Sequence, residues 1–210
     1  MAIKLLVVDD HPVARMGVQH MTIGSDIQIV AQADNAESAL HHVRSMELDL
    51  VLLDVRMPKS DGLRCLAEIR SIKPELPVLM FSAYANPTYV ARAVALGAKG
   101  YMTKDASAEA LLGAIHEVAA GGKVWSREDM RRVTGPIGEP DTNLDMEIPL
   151  TSREMEVLKQ LAFGLTNKEI AQALGISYET VKEHVQHVLN KLSVADRTQA
   201  AVWAVRRGLA

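Results

Sequence analysis

Leu5-Leu6-Val7-Val8-Asp9-Asp10 and Leu50-Val51-Leu52-Leu53-Asp54 are two short apolar runs that each end in carboxylates. Neither run alternates apolar with polar residues, which is typical of a strand buried on both faces of a parallel sheet. Open parallel sheets bind ligands at the carboxyl ends of their strands, where these acidic residues would lie. The two runs therefore predict a helix-covered parallel sheet with an acidic functional edge.

The first 120 residues continue this pattern as an alternation of strands and helices. The predicted strands are 4–8, 27–33, 50–53, 78–82 and 100–103, and the predicted helices are 12–21, 35–45, 62–72, 87–96 and 107–120. Each helix is indicated by 3.6-residue periodicity, and right-handed crossovers join parallel neighbours. We expect an α/β fold with a doubly wound, five-stranded parallel sheet.

Residues 121–148 lose this regularity. Gly121 and Gly122 end the fifth predicted helix, residues 135–140 are rich in helix breakers, and residues 141–147 are acidic. The pattern also permits a short helix at 126–132. We therefore expect two domains, residues 1–122 and residues 149–210, joined by a linker of residues 123–148.

From Leu150 onward the pattern is all-helical. Residues 151–154 and 166–169 are capping boxes, and Ser177 is a good N-cap residue. The predicted helices are 152–163, 167–174, 178–192 and 197–206. The second and third of these are joined by a short turn that contains Gly175, which is the signature of a helix-turn-helix.

Three carboxylates, those of Asp9, Asp10 and Asp54, should converge at the ends of neighbouring strands. Like charges this close repel unless a cation lies among them, and Mg²⁺ prefers carboxylate and carbonyl oxygens. Lys104 and Ser82 end the fifth and fourth strands, so they can bring an ammonium and a hydroxyl group to the same edge. A metal, an ammonium and a hydroxyl group around one carboxylate favour phosphoryl transfer.

Residues 3–120 resemble the receiver domain of bacterial two-component response regulators, whose fold is flavodoxin-like. The segments that carry the resemblance are 7–12, 54–62, 82–83 and 97–104. Each is weak evidence alone, but all occur in the right order and at the right strand ends. The resemblance implies that Asp54 accepts a phosphoryl group from a histidine kinase.

The same resemblance implies roles for the neighbouring residues. Asp10, Asp54 and the backbone carbonyl of Arg56 would ligate Mg²⁺, and Asp9 would act through the water shell of the ion. Lys104 would pair with the phosphoryl oxygens. Ser82 would move to donate a hydrogen bond to them, and Tyr101 would turn inward as Ser82 moves.

Two more side chains allow both a structural and a chemical interpretation. His11 stands directly before Pro12 at a helix start, so a loop residue is favoured over a phosphohistidine or a metal ligand. Cys65 is the single cysteine of the chain and lies in a helix-like run. It cannot form an internal disulfide, and we expect it to be a small core residue.

The helix predicted at 178–192 has two distinct faces. Its apolar stripe is formed by Val181, Val185, Val188, Leu189 and Leu192, and its polar face by Glu179, Lys182, Glu183, Gln186 and Asn190. A charged face is usually only solvated. As the second helix of a helix-turn-helix, however, it is the candidate surface for the DNA major groove.

Residues 149–210 resemble the LuxR-type helix-turn-helix of the NarL/FixJ group. The segments that carry this match are 150–154, 167–171, 176–177, 180–185, 191–194 and 196–200. By this resemblance Lys182, Glu183 and Gln186 would face DNA bases, whereas Lys168 and Thr180 would meet phosphates. Glu183 would either tune sequence choice or repel phosphate.

The C-terminal segment carries only a small positive charge. Residues 149–210 contain 8 Lys+Arg and 6 Asp+Glu, which gives +2. Affinity for DNA follows the number of phosphates neutralised, so we expect a homodimer on two half-sites. The resemblance places self-association on the last helix, where the candidates are Ala200, Ala201, Trp203 and Ala204. For Trp203 a place in the core of the domain is an equal alternative.

The favoured function is a phosphorylation-activated, DNA-binding transcription regulator that dimerises on phosphorylation. A phosphatase-type enzyme is one alternative, but we find no separate substrate pocket or general acid, so we expect no enzyme. A DNA-binding protein that ignores phosphorylation is another. No signal peptide or run of about 18 apolar residues is seen, so we expect a cytoplasmic protein without membrane contact.

Overall fold

The computed structural model describes residues 2–57, 60–83, 86–126 and 150–209. The chain divides into two compact units. The first comprises Met1–Ala85 and Leu96–Trp125, and the second comprises Asn86–Ala95 and Ser126–Ala210.

The first unit is built on a five-stranded parallel sheet. Its strands are β1 (Ile3–Val8), β2 (Ile27–Ala33), β3 (Leu50–Leu53), β6 (Val78–Ser82) and β7 (Gly100–Thr103), in the spatial order β2-β1-β3-β6-β7. Two short strands, β4 (Arg56–Met57) and β5 (Ser60–Asp61), pair antiparallel directly after β3. Winding in both directions from β1 leaves a crevice between the carboxyl ends of β1 and β3. The predicted doubly wound fold is confirmed.

Four helices belong to this unit: α1 (Pro12–Met21), α2 (Ala36–Ser45), α3 (Gly62–Ile72) and α5 (Ala108–Ala119). The residue before each of the last three helices caps it. Asn35, Asp61 and Ser107 accept hydrogen bonds from backbone N–H groups in the first turn. Each cap stabilises its helix by roughly 1 kcal/mol. These caps fix where the helices start relative to the strand ends.

One part of the core of the first unit lies between the central strands and α5. Leu5, Leu50 and Leu52 are at most 1% exposed and belong to one cluster with Leu111 and Ile115 of α5. Each such side chain contributes roughly 1.5–3 kcal/mol by leaving water. The strand ends that carry the acidic residues are therefore held by a rigid, close-packed sheet.

Cys65 lies in α3 and is 1% exposed, so the predicted place in the core is confirmed. Burial raises the pKa of its thiol to about 12. The thiol is therefore protonated at neutral pH.

The second unit contains α4 (Pro87–Ala95) together with the C-terminal helices α6 (Ser152–Ala162), α7 (Asn167–Leu174), α8 (Tyr178–Lys191) and α9 (Arg197–Arg206). Ala91 of α4 and Val202 of α9 are fully buried in one apolar cluster of this unit. The periodicity of α4 correctly predicts a helix, but it does not indicate which unit its apolar face joins.

Both predicted capping boxes are formed. Thr151 and Glu154 cap α6, and Thr166 and Glu169 cap α7, each pair through two reciprocal hydrogen bonds between side chain and backbone. Gly175 ends α7 with a φ of 64°, in the left-handed region that favours glycine. After this turn α8 begins, and the predicted helix-turn-helix is confirmed as α7 and α8.

The helical core lies between α6, α8 and α9. Its fully buried members include Val157, Leu161, Val181, Val188 and Ala200. The rest of the predicted apolar stripe of α8, which is Val185, Leu189 and Leu192, is partly buried and packs against this core. The opposite face of α8 is thereby turned to solvent.

Most predicted boundaries agree with the structure to within one residue. The β4–β5 pair was not predicted, because strands of two residues leave no periodicity to detect. The short helix at 126–132 and the linker at 123–148 lie largely outside the described residues.

Candidate functional site

The register of the sheet places two acidic residues side by side. Val8 and Leu53 are paired residues at the ends of β1 and β3, so Asp9 and Asp54 follow at matching positions. The backbone N–H of Asp54 donates to the carbonyl oxygen of Val8 at 2.9 Å. Asp9 and Asp54 are only 3% and 5% exposed. The carboxylates predicted to converge from these two strands therefore do so.

Lys104 reaches this pair from the end of β7, which β6 separates from β3. It follows β7, and its backbone N–H donates to the carbonyl oxygen of Ser82 at 2.8 Å. Its Nζ atom lies 2.9 Å from Asp54 Oδ2 and 2.6 Å from Asp9 Oδ2. Because β6 separates β3 from β7, the lysine side chain crosses the end of β6 to make these contacts. One ammonium group thus bridges both carboxylates.

The electrostatics of the site follow from burial and from this bridge. Burial raises the pKa of Asp54, and the hydrogen bond from Lys104 only partly opposes that effect. Burial lowers the pKa of Lys104, but its hydrogen bonds to Asp9 and Asp54 outweigh this and raise the pKa overall. The ammonium therefore stays charged at neutral pH.

Among the residues that the structure describes, four side chains at this site could hold a metal ion. Asp9, Asp10, His11 and Asp54 each offer a ligand atom, and these atoms lie within 4.8 Å of one another. Asp10 Oδ1 is buried, yet it accepts no hydrogen bond from any residue that the structure describes. A buried carboxylate oxygen without a hydrogen bond is costly unless a cation neutralises it. Three carboxylates suit a hard divalent cation such as Mg²⁺.

The backbone around Asp54 is tightly packed by α3. A Cβ atom added at Gly62 would lie 1.8 Å from the carbonyl oxygen of Asp54. The N–H of Gly62 donates to the carbonyl oxygen of Val55 at 2.9 Å, and the N–H of Val55 donates to Asp54 Oδ1 at 2.7 Å. Only glycine allows α3 to start this close to the acidic residue.

Three other predicted site residues have clear positions. Ser82 is fully buried at the carboxyl end of β6, and Tyr101 on β7 is 8% exposed. The side chain of Arg56 is exposed on β4, directly after the acidic strand end. Their predicted roles are not tested by position alone.

Sequence analysis missed Arg15, whose Nη1 atom donates to the backbone carbonyl oxygen of Asp9 at 2.6 Å. This bond ties α1 to the acidic turn that follows β1. Its only signal in the sequence is an arginine in the first turns of a helix that follows the carboxylates.

The polar face of α8 is solvent-exposed as predicted. Lys182, Glu183 and Gln186 are exposed, and Gln186 Nε2 donates to Asn190 Oδ1 at 3.1 Å. Thr180 is half-buried at the start of the helix, where its N–H donates to Ser177 Oγ at 3.0 Å. This face offers hydrogen-bonding side chains along one side of the helix.

The other predicted nucleic-acid and self-association residues differ in exposure. Lys168 is exposed on α7. Ala200, Ala201 and Ala204 are fully buried in the core of the helical unit. Trp203 is half-buried beside that core, and the guanidinium of Arg207 lies 4.4 Å from its ring centroid. In this single chain Trp203 is thus the most accessible of the four candidates on α9.

Charged side chains hold the helix-turn-helix together in a way that capping boxes alone do not predict. Glu154 Oε2 accepts hydrogen bonds from the Thr151 N–H and, at 2.7 Å, from the Nζ atom of Lys191 in the last turn of α8. The hydrogen bond from Lys191 is the largest cause that lowers the pKa of Glu154, to about 2. Arg153 donates to the carbonyl oxygen of Leu174 at 2.9 Å. Scaffold helix α6 is therefore bonded to the ends of both α7 and α8.

Comparison with known proteins identifies both parts of the chain. Residues 5–116 match the family model described as the response regulator receiver domain, and residues 148–204 match that of the bacterial regulatory proteins of the luxR family. The chain belongs to the NarL family of two-component response regulators, which are phosphorylation-activated transcription regulators that bind DNA. Members of this family are cytoplasmic, and receiver domains bind Mg²⁺ at the acidic pocket.

Three similar proteins illustrate the match. The transcriptional regulatory protein LnrK of Bacillus subtilis is 37% identical over 99% of this chain and 98% of that protein. The nitrate/nitrite response regulator protein NarL of Escherichia coli K12 is 37% identical to this chain, and the match covers 95% of this chain and 93% of NarL. The crystal structure of the response regulator ChrA of a heme-sensing two-component system has a TM-score of 0.52 and is 31% identical, covering 100% of this chain and 99% of that chain.

In the part of the chain that the structure describes, no helix combines the length and the apolar character needed to cross a membrane.

Proposed function

We propose that Asp54 accepts a phosphoryl group from a cognate sensor histidine kinase and that this modification controls promoter binding through α8. The observation that carries the proposal is the contact of one ammonium group, that of Lys104, with both Asp54 and Asp9 at the carboxyl ends of β1 and β3. A charged donor held at a buried carboxylate is what a phosphoryl acceptor requires. The domain boundaries that we propose are those expected from the sequence: 1–122, 123–148 and 149–210.

In the transfer step the phosphorus–nitrogen bond of a phosphohistidine breaks while a bond forms between phosphorus and a carboxylate oxygen of Asp54. The leaving imidazole takes up a proton. Lys104 Nζ is 2.9 Å from Asp54 Oδ2, so the same ammonium can pair with an oxygen of the incoming phosphoryl group. The Val55 N–H fixes the carboxylate through Oδ1.

The donor set also supports a place for Mg²⁺. We propose that Asp10, Asp54 and the backbone carbonyl of Arg56 hold the ion, with Asp9 acting through its water shell. When bound, Mg²⁺ neutralises charge on the phosphoryl oxygens. The buried Asp10 Oδ1, which accepts no hydrogen bond within the described residues, supports this assignment.

We propose that Ser82 and Tyr101 transmit the phosphorylation of Asp54 to the rest of the chain. Ser82 is the last residue of β6, and Lys104 beside it donates to its backbone carbonyl oxygen. A phosphoryl group on Asp54 gives the Ser82 hydroxyl a new acceptor. Tyr101 then fills the space that Ser82 leaves, which shifts the population toward a form that dimerises and binds DNA.

The acceptor is tested with Asp54→Asn and a small-molecule phosphodonor. We expect the parent protein to gain phosphate that is labile in both strong acid and base, as an acyl phosphate is, and to bind promoter DNA more tightly, and Asp54→Asn to do neither. The matched control is Asp34→Asn, which changes an exposed carboxylate outside the pocket and should behave like the parent. An Asp54→Asn variant that responds like the parent would show that another residue is the acceptor.

For DNA recognition we propose that Lys182, Glu183 and Gln186 face bases in the major groove, and that Lys168 and Thr180 contact phosphates. The exposure of Lys182, Glu183 and Gln186 in the first half of α8 supports this, because the N-terminal part of a recognition helix contacts base edges. Because the segment has a charge of only +2, two copies on two half-sites are needed for substantial affinity. We propose a homodimer through α9 with Trp203 as the contact residue, because Ala200, the other predicted contact residue, is fully buried in the core of the helical unit.

These roles predict different effects on binding. Lys182→Met should reduce the favourable free energy of DNA binding by about 1–3 kcal/mol and relax the specificity at one base position. Lys168→Met should weaken binding to all sequences alike, and it should reduce the slope of log affinity against log salt concentration by about 1. Lys159→Met on the exposed face of α6 is the control for loss of charge. Equal effects of the first two changes on every sequence would contradict the assignment of Lys182 to a base.

A further inference from the structure

We propose that the imidazole of His11 is an additional ligand of the acidic cation site, so that this pocket binds a divalent transition-metal ion such as Mn²⁺ in preference to Mg²⁺. The inference rests on the proposed acidic pocket and adds a nitrogen donor to it. Neither the family roles carried over from the sequence nor the proposed Mg²⁺ set uses this side chain.

The first support is distance. His11 Nδ1 lies 2.9 Å from Asp10 Oδ1 and 3.5 Å from Asp9 Oδ1. Two ligand atoms on adjacent corners of an octahedron, each about 2.1 Å from the ion, lie about 3 Å apart. The ring nitrogen and the carboxylate oxygen of Asp10 therefore already have the spacing of two ligands of one ion.

The second support is the kind of contact. Although the two atoms are only 2.9 Å apart, Asp10 Oδ1 is buried and accepts no hydrogen bond from the described residues. Together with Asp9 and Asp54, these two residues offer four possible ligand atoms that lie within 4.8 Å of one another. A cation among them would give the buried carboxylate oxygen and the ring nitrogen a common partner.

The backbone keeps the ring in this place. The N–H of His11 donates to Asp9 Oδ1 at 3.0 Å. The next residue, Pro12, begins α1 and has a fixed φ, which limits the movement of the turn. The His11 side chain is 68% exposed, so an ion can exchange its water ligands for the ring nitrogen without opening the fold.

The third support is that different carboxylate oxygens contact Lys104 and His11. Lys104 contacts Asp9 Oδ2 and Asp54 Oδ2, which turns those two atoms toward the ammonium. His11 Nδ1 lies 3.5 Å from the other carboxylate oxygen, Asp9 Oδ1, and 2.9 Å from Asp10 Oδ1. Mg²⁺ and Mn²⁺ both favour oxygen donors, but Mn²⁺, as a transition-metal ion, accepts one imidazole among its ligands more readily than Mg²⁺ does. A nitrogen donor at this site therefore changes which ion is preferred.

The test uses the full-length chain and titrates it calorimetrically with Mn²⁺ and with Mg²⁺. We expect His11→Ala to weaken Mn²⁺ binding by about tenfold or more, as loss of a group at a metal site typically does, while Mg²⁺ binding changes less than twofold. His20→Ala, an exposed histidine later in α1, is the matched control and should leave both affinities unchanged. Circular dichroism checks that each variant is folded.

A second measurement detects the bond itself. In pulsed electron paramagnetic resonance, Mn²⁺ bound to the parent chain should show ¹⁴N modulation from imidazole, and the His11→Ala complex should not. If Mn²⁺ and Mg²⁺ bind to the parent with no ¹⁴N modulation, or if His11→Ala lowers both affinities equally, the role of His11 is wrong and the proposed function stands. If neither ion binds to the parent, both proposals fail.

Discussion

Lys104 and Asp54 are 50 residues apart in the sequence, yet their side chains are joined by a hydrogen bond of 2.9 Å. The bond exists because β3 and β7 end at the same edge of the sheet and the lysine crosses the end of β6. It holds a positive charge next to a carboxylate whose pKa burial raises. The pocket thus has one fixed cation, and its remaining charge is available for a second one.

Asp10→Asn should stabilise the receiver unit in metal-free buffer and remove its response to Mg²⁺. The Asp10 carboxylate lies near Asp9 and Asp54 and has a buried oxygen without a hydrogen bond, so losing its charge relieves repulsion. We expect a gain of about 1 kcal/mol, the size of the interaction between two unit charges about 4 Å apart in water. Thermal unfolding with and without Mg²⁺ measures both effects.

Asp34→Asn is the control for Asp10→Asn, because it removes an exposed carboxylate elsewhere in the same unit. It should keep the rise in melting temperature that Mg²⁺ gives the parent. An Asp10→Asn variant that Mg²⁺ stabilises as much as the parent would be incompatible with Asp10 as a ligand.

Gly62→Ala should destabilise the receiver unit and impair phosphorylation together. The new Cβ atom would lie 1.8 Å from the backbone oxygen of Asp54, which cannot move away cheaply. Overpacking of this kind costs about 1–3 kcal/mol. Chemical denaturation gives the stability, and phosphate incorporation from a small phosphodonor gives the function.

Gly17→Ala is the matched control for Gly62→Ala. A Cβ atom at Gly17, inside α1, meets nothing within 4 Å. Alanine is favoured over glycine in a helix interior, so this variant should be more stable by roughly 0.5–1 kcal/mol. The space at Gly62 would be larger than the structure shows if both variants gained stability.

Glu154→Gln should loosen the helix-turn-helix. The change removes the charge that Lys191 contacts at 2.7 Å, and a hydrogen bond to a charged group contributes about 1.5–3 kcal/mol. Because the folded-state pKa is lowered to about 2 from an ordinary 4.5, this stability is fully present above pH 4.5 and is lost as the pH falls toward 2. Urea unfolding of the parent and the variant over that range measures the difference.

Glu156→Gln is the control for Glu154→Gln. Glu156 is exposed and pairs with Arg153 on the surface of α6, where an ion pair contributes about 0–1 kcal/mol. It should therefore change stability less and leave the acid dependence as in the parent. The same loss in both variants would mean that the bond to Lys191 contributes nothing beyond a surface pair.

A pH-dependent contribution is expected from His116 and Asp26, whose Nε2 and Oδ1 atoms are 2.7 Å apart. The hydrogen bond to Asp26 raises the pKa of His116 above its ordinary 6.5, and the same bond lowers the pKa of Asp26 below its ordinary 3.8. The histidine contribution is full below pH 6.5 and is lost as the pH rises through the raised pKa. The aspartate contribution is full above pH 3.8 and is lost as the pH falls.

The pair therefore stabilises the fold most between these two pH values, and modestly, because both side chains are about half exposed. His116→Gln should flatten the pH profile of unfolding in the range above pH 6.5. His20→Gln should leave it unchanged. A parent profile that is already flat there would rule out the contribution.

The sequence predicts the strand ends well, because continuous apolar runs and caps such as Asn35 and Asp61 are local signals. It also predicts which carboxylates converge, since parallel strands share one carboxyl edge. It cannot predict that Lys104 crosses the end of β6 to contact Asp9 as well as Asp54, because that depends on strand order. The bonds of Arg15 to the Asp9 carbonyl and of Lys191 to Glu154 are likewise set by packing between distant segments.

The helix α4 is a second case in which local sequence signals predict the element but not what it packs against. Its periodicity predicts a helix within one residue of the observed Pro87–Ala95. Which apolar surface covers Ala91 depends on a partner, Val202, more than a hundred residues away, and nothing local to α4 encodes that choice.

The buried thiol of Cys65 gives this chain a built-in reporter. With a pKa of about 12 and 1% exposure, the sulfur cannot react with alkylating reagents or peroxide while α3 is docked. The chain has one cysteine. The rate at which a thiol reagent labels Cys65 therefore measures how often α3 separates from the rest of the receiver unit. Ligands that tighten the unit will slow that labelling, and no engineered probe is needed to observe it.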